Sequence, residues 1–183
     1  MSNLERALGQ SKGKGADSAP RPGGPQMCGD IDIRIARDGT WHYMGSPIGR
    51  MPLVKLFASV LERDESGDFW LITPAEMCRI RVDDAPFVAV DMTVEGSGRD
   101  RRVGFRTNLD ENVIAGRDHP IRVDIDPDTS EPAPYVLVRD GLEALISRSV
   151  FYDLVEIAEE TEIDGAAALG IWSDGQFFAI GTI

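Results

Sequence analysis

Ile31-Asp32-Ile33-Arg34-Ile35-Ala36-Arg37-Asp38-Gly39-Thr40-Trp41-His42-Tyr43, continued by an arginine-led run to Leu61, is the stretch that decides the fold. Ile31, Ile33 and Ile35 alternate with Asp32 and Arg34, the period of a strand with one buried face. Arg37-Asp38-Gly39 supplies a turn, because Asp bonds its own backbone and Gly accepts positive φ. Thr40 to Tyr43 is then the returning strand, with Trp41 and Tyr43 on one face. Beyond Gly45-Ser46-Pro47 the period changes. Leu53, Val54, Leu56, Phe57, Val60 and Leu61 make a single helical stripe, and Pro52 suits the first turn, where its missing N–H is not needed.

A looser copy of this unit runs from Tyr135 to Ala158. Tyr135 to Val138 is followed by Arg139-Asp140-Gly141 and by Leu142 to Ile146. Arg148 then leads a helix as Arg50 leads the first, with Phe151, Leu154, Val155 and Ala158 as its stripe. The pattern predicts an α+β fold built on a duplicated strand–turn–strand–helix unit, with independent hairpins as the alternative.

Outward from these units, residues 1–27 read as a flexible leader rich in Gly, Pro, Ser and Lys, with Leu4 and Leu8 able to anchor one helical turn. Residues 28–76 form a small N-terminal α+β domain, ended by a strand at Phe69 to Ile72 and the stop Thr73-Pro74. Residues 77–183 form a C-terminal antiparallel β domain. Its strands alternate at Ile80 and Val82, at Val88 to Val94, at Val103 and Phe105, and at Ile121 to Ile125, with short polar turns between. Ala167 to Trp172 and Gln176 to Ile180 close the chain as a hairpin. A helix over Ser149 to Glu160 caps the bent sheet, in outline superficially pleckstrin-homology-like, a likeness of architecture only.

Composition narrows the function. The formal net charge of −12 makes a nucleic acid polymer a poor partner. The leader carries four bases, Arg6, Lys12, Lys14 and Arg21, against Glu5 and Asp17, so the surplus acid lies in the body. Between Asp153 and Asp164 there are six acids and no base, a solvated helix end or a face for a basic protein partner. No apolar run approaches a membrane span and no secretory signal is visible, which points to a cytoplasmic protein away from membranes. Cys28 and Cys78, far apart and without histidine neighbours, are expected as reduced thiols, with a disulfide left open.

Several phrases together resemble a bacterial family of uncharacterised proteins, the domain of unknown function 1285. They are Cys28-Gly29-Asp30-Ile31, Arg37-Asp38-Gly39-Thr40-Trp41, Gly45-Ser46-Pro47-Ile48-Gly49-Arg50, Asp84-Ala85-Pro86-Phe87, Thr107-Asn108, His119-Pro120 and Arg139-Asp140-Gly141. The resemblance covers roughly Cys28 to Glu160. It implies a duplicated α+β core, a C-terminal domain superficially like a pleckstrin-homology fold, a ligand site between the domains that takes a nucleotide, and a role in bacterial signalling. It supplies no catalytic residues.

The residues themselves give no catalytic set. There is no GxSxG, and neither His42 nor His119 has a visible orienting partner. Asp124, Asp126 and Asp128 have the spacing of a calcium loop, but Thr129 stands where that loop needs glycine and Tyr135 where it needs glutamate, so no metal site is expected. No GxxxxGK[ST] occurs. Arginines with turn amides remain able to hold phosphate. Arg102 and Arg106 share a strand face, Thr107 and Asn108 end that strand, and Arg50 begins a helix. The expectation is a non-enzymatic, cofactor-free regulatory module that binds a small anionic ligand, a nucleotide included. Trp41, Arg50, Arg102, Arg106, Thr107, Asn108 and His119 are its candidate site, with Trp41 as a flat apolar surface. An acidic protein-interaction scaffold is the alternative, and a hydrolase using His119 a third reading.

Overall fold

The structure is a computed structural model that describes residues 3–8, 24–163 and 165–182. The chain divides into two compact units, one ending at Asp84 and the other starting at Ala85. Both are strand-rich α+β units.

In the first unit a short helix α1 (Asn3–Leu8) precedes β1 (Gln26–Ile35), β2 (Trp41–Tyr43) and the two-residue β3 (Ser46–Pro47). Helix α2 (Met51–Ser59) follows, then β4 (Leu61–Arg63), β5 (Phe69–Ile72) and β6 (Glu76–Val82). The sheet order is β3-β2-β1-β6-β5-β4. β1 and β6 run parallel at its centre, and the other neighbours are antiparallel. Ile33 and Ile35 turn inward as the alternation predicts, with Trp41, Leu71, Cys78 and Ile80. Helix α2 buries Leu53, Val54, Phe57 and Ala58, and the Phe57 ring stacks on Trp41 at 6.2 Å.

Three expectations change here. Leu61 is not the end of the helical stripe: α2 stops at Ser59 and Leu61 opens β4, while Leu56 faces solvent. The sequence places a domain boundary after residue 76, yet β6 is a central strand of the first unit because it pairs with β1 and β5. Cys28 and Cys78 are not separate thiols; the parallel pairing brings their Cα atoms to 5.2 Å and they are joined as a disulfide. The leader contributes α1, whose Leu4 is buried, while residues 9–23 lie outside the described residues.

The second unit begins with β7 (Phe87–Glu95), β8 (Arg102–Thr107) and β9 (Asn112–Ile114), followed by β10 (Ile121–Ile125), β11 (Pro132–Arg139) and β12 (Leu142–Ile146). Their order is β10-β11-β12-β7-β8-β9, again with one parallel pair, β12 with β7, at the centre. Counted from each unit's first strand, the two six-stranded sheets have the same strand order. Helix α3 (Arg148–Glu156) packs near β7 and buries Val150, Phe151 and Leu154. β13 (Glu159–Ile163), β14 (Ala166–Ser173) and β15 (Gln176–Thr182) make a third, antiparallel sheet. Ser173 ties it to the second sheet: its buried hydroxyl donates to the Ala115 carbonyl at 2.6 Å and accepts from the Val103 N–H at 2.9 Å.

The two Arg-Asp-Gly turns are not equivalent. The first joins the first two strands of its sheet and the second joins the last two. Gly39 alone has positive φ in the first turn, which closes by an Ala36 N–H to Thr40 carbonyl bond. In the second, Asp140 and Gly141 both have positive φ, the two-residue turn that suits strand twist. The acidic run is also not a helix end. Helix α3 stops at Glu156, and Thr161 and Ile163 take the chain into β13 with exposed Glu160 and Glu162 between. Asp164 lies outside the described residues.

Candidate functional site

The seven residues singled out from the sequence fall in both units: Trp41 and Arg50 in the first, the other five in the second. Trp41 is 2% exposed, in the core, so its ring presents no face to a ligand. A returning strand whose aromatic faces inward has this outcome, and the apolar helix α2 is what covers it. Arg50 is exposed at the start of α2. Its carbonyl accepts from the N–H groups of Leu53 and Val54, and its guanidinium makes no capping bond.

Arg102 and Arg106 do share the outer face of β8, since Val103 and Phe105 between them are buried. Both are held by acids. Arg102 lies 3.7 Å from Asp174, and Arg106 lies 3.1 Å from Asp91 and 3.5 Å from Asp110. Arg106, Asp91, Thr93, Gly104, Asn112 and Ile114 line a shallow cleft of about 270 Å³ on this face. Thr107 and Asn108 turn away from it. The buried Thr107 hydroxyl accepts from the N–H groups of Leu109 and Glu111, and Asn108 Oδ1 accepts from the Val88 N–H at 3.0 Å. Their side chains fasten the β8–β9 turn and the start of β7. His119 donates from Nδ1 to the Leu137 carbonyl at 3.0 Å. It has no carboxylate or hydroxyl partner among the described residues, so the hydrolase reading loses its base–orienter pair.

A larger cleft, about 380 Å³, opens on the first sheet, away from the residues singled out from the sequence. Asp30 pairs in register with Arg79, and the next matched pair is Arg34 with Arg81. Three residues of β1, Ile31 to Ile33, therefore face only Ile80 of β6, and the parallel ladder opens between them. Asp30, Asp32, Arg79 and Arg81 supply the polar walls. Arg79 is bound by both Asp30 and Asp68 and lies over the Trp70 ring. The Arg79 guanidinium, donating to Asp30, holds the Asp30 carboxyl below its ordinary value. The same two carboxylates raise the Arg79 guanidinium further above its own. Arg81 differs: it is exposed at the cleft and has no carboxylate partner among the described residues. The one visible hint was the alternation of Ile80 and Val82 with arginines, which puts Arg79 and Arg81 on one face.

Asp124, Asp126 and Asp128 do not gather into a metal site. Asp126 Oδ1 accepts from the N–H groups of Asp128 and Thr129 in a tight turn, and Asp124 is paired with Arg122. Among the described residues, one group of metal-ligating atoms does come together, on Cys28, Glu76 and Cys78.

Two family descriptions cover the chain almost end to end: the "Domain of unknown function (DUF1285), N-terminal domain" over residues 23–85, and the "Protein of unknown function (DUF1285), C-terminal domain" over residues 86–180. The chain belongs to the DUF1285 family. The boundary between the two DUF1285 descriptions falls at the division between the two compact units. A crystal structure of a DUF1285 family protein from Silicibacter pomeroyi DSS-3 is 48% identical, with a TM-score of 0.84 over 100% of this chain and 97% of that one. A second, from Shewanella baltica OS155, is 25% identical, with a TM-score of 0.54 over 69% of this chain and 91% of that one. No curated protein matches the chain. No helix is long and apolar enough among the described residues to cross a membrane.

Proposed function

We propose that this DUF1285 protein is a non-enzymatic regulatory module that binds a small anionic ligand, with a phosphate-bearing molecule such as a nucleotide as the first class to test. The observation that carries the reading is Arg81. Arg79, Arg101 and Arg106 also line clefts, but each is already neutralised by a carboxylate. An anion arriving at Arg106 has to displace Asp91 and Asp110, whereas at Arg81 it meets a guanidinium with no carboxylate partner among the described residues, able to make bidentate contact. Beside it the parallel register shifts, between the Asp30–Arg79 and Arg34–Arg81 pairs, and the cleft opens there.

A thermal-shift panel of nucleotides, cyclic nucleotides and inorganic phosphate tests this. A ligand at a hundred times its dissociation constant adds about 2.7 kcal/mol of stability. The shift is expected in the wild type and in Arg106→Ala and is lost in Arg81→Ala. A shift that survives Arg81→Ala places the ligand elsewhere and overturns the cleft. A panel with no shift favours the acidic-scaffold reading, for which exposed Asp153, Glu156 and Glu160 beside exposed Tyr152 and Val155 are the relevant surface.

We also infer that the two units descend from one ancestor. The shared strand order, with a single parallel pair at the centre of each six-stranded sheet, supports this. The equivalent parts are then the whole sheets, not the two Arg-Asp-Gly hairpins.

A further inference from the structure

We propose that Cys28, Glu76 and Cys78 form a binding site for one thiophilic divalent cation of the zinc type, open when the two cysteines are reduced and closed when they are joined. Cys28 is the extra residue of a bulge: the register runs from Met27 with Met77 directly to Gly29 with Cys78. Gly29 takes positive φ there, which a side chain would resist. The bulge turns Cys28 toward Cys78 on the neighbouring strand, with Cα atoms 5.2 Å apart. Glu76 is fixed beside them by a tight turn, in which its N–H donates to Thr73 Oγ1 at 3.1 Å and its carbonyl accepts from the Thr73 N–H at 2.9 Å. One ligating atom from each of Cys28, Glu76 and Cys78 lies within 4.8 Å of the others.

The carboxylate is the observation that reaches beyond a structural cross-link. Glu76 is 6% exposed. One of its oxygens accepts from the Asn3 N–H, and the other, Oε2, lies 3.9 Å from Cys78 Sγ. That second contact is a hydrogen bond only when Cys78 carries a proton. In the disulfide the sulfur has none, and a buried carboxylate oxygen faces sulfur with no donor. Two thiolates and a carboxylate around a cation remove the mismatch. Zinc bonds of about 2.3 Å to sulfur and about 2.0–2.2 Å to a carboxylate oxygen fit ligating atoms this close. Two soft sulfurs disfavour magnesium and calcium, which take oxygen ligands. Three protein ligands leave a fourth position for water. Cys28 is partly exposed, so reductant and cation have a way in.

The conversion balances as thiol–disulfide exchange. A dithiol reductant breaks the Cys28–Cys78 bond, ending as its own disulfide, and leaves two protein thiols. The cation then binds both sulfurs as thiolates, and their protons pass to solvent.

The test uses the full chain, oxidised or reduced with a phosphine and then freed of it, titrated with cobalt(II) and afterwards zinc. The reduced chain is expected to develop a sulfur-to-cobalt charge-transfer absorption that saturates at one cobalt per chain and is abolished by one zinc. The oxidised chain is expected to show none. Cys28→Ser is expected to lose the absorption, and Glu76→Gln to keep it but bind on the order of tenfold or more weakly. No absorption in the reduced wild type, or the same absorption in the oxidised chain, overturns the site without depending on any variant. Undiminished affinity in Glu76→Gln overturns the role of the carboxylate.

Discussion

At the scale of single residues, burial and local bonding decided which candidates hold the fold and which are free to bind. Trp41 offers a flat ring by residue type, yet it is part of the core. Its indole Nε1 is buried without an acceptor among the described residues, so its contribution is packing. Trp41→Ala is therefore expected to cost about 3–5 kcal/mol in a urea titration, and Trp41→Phe well under half of that, because no hydrogen bond is lost. Thr107 is the opposite case, small and polar, with a fully buried hydroxyl that serves two main-chain donors. Thr107→Val keeps the shape and strands those donors, with an expected loss of about 1–3 kcal/mol by the same titration. Sequence shows residue type but not whether an acid stands opposite. That is why the sequence singles out Arg106, which Asp91 and Asp110 hold, and passes over Arg81.

At the scale of elements, what could be read from sequence was what repeats locally. The strand at Ile31 to Ile35, the start of α2 with Pro52 in its first turn, the alternation of Ile121 to Ile125 and the closing hairpin across Asp174-Gly175 are all present. Ends of helices were harder. Leu61 and the run from Glu159 satisfy helical spacing and strand alternation equally, and pairing with β5 and β14 settled them as strands. The pairing of β1 with β6 is beyond local reading, because it joins segments about 50 residues apart, the separation of the two cysteines. The cleft and the cysteine–glutamate group both lie on that one parallel pair. The turns carry a prediction of their own. Gly141 at φ 77 follows Asp140 at φ 38 in a two-residue hairpin. Gly141→Ala should cost about 1–2 kcal/mol in thermal or urea unfolding, because an L side chain is strained there.

At the scale of the whole molecule, the net charge of −12 and the arginine–carboxylate pairs spread over both units make the acid side the sensitive one. Asp30, Asp38 and Asp64 are held below their ordinary carboxyl values, by the Arg79 guanidinium, the Thr40 N–H and the Trp70 indole N–H respectively. Groups lowered in the folded state contribute stability that is present above the unfolded value of about 3.9 and lost as pH falls through the folded values. Urea midpoints are expected to change little from these groups between about pH 6 and pH 8 and to fall progressively below about pH 4. A loss of stability centred near neutral pH would contradict this assignment.

The central claim is that a small anion binds where β1 and β6 part, at Arg81. The most direct measurement is a two-dimensional amide NMR titration of the full chain with the best ligand of the thermal-shift panel. The account predicts concentration-dependent shifts concentrated at residues 30–33 and 79–81. Shifts concentrated at Asp91, Gly104 to Arg106 and Asn112 to Ile114 instead would contradict it and return the site to the cleft on β8.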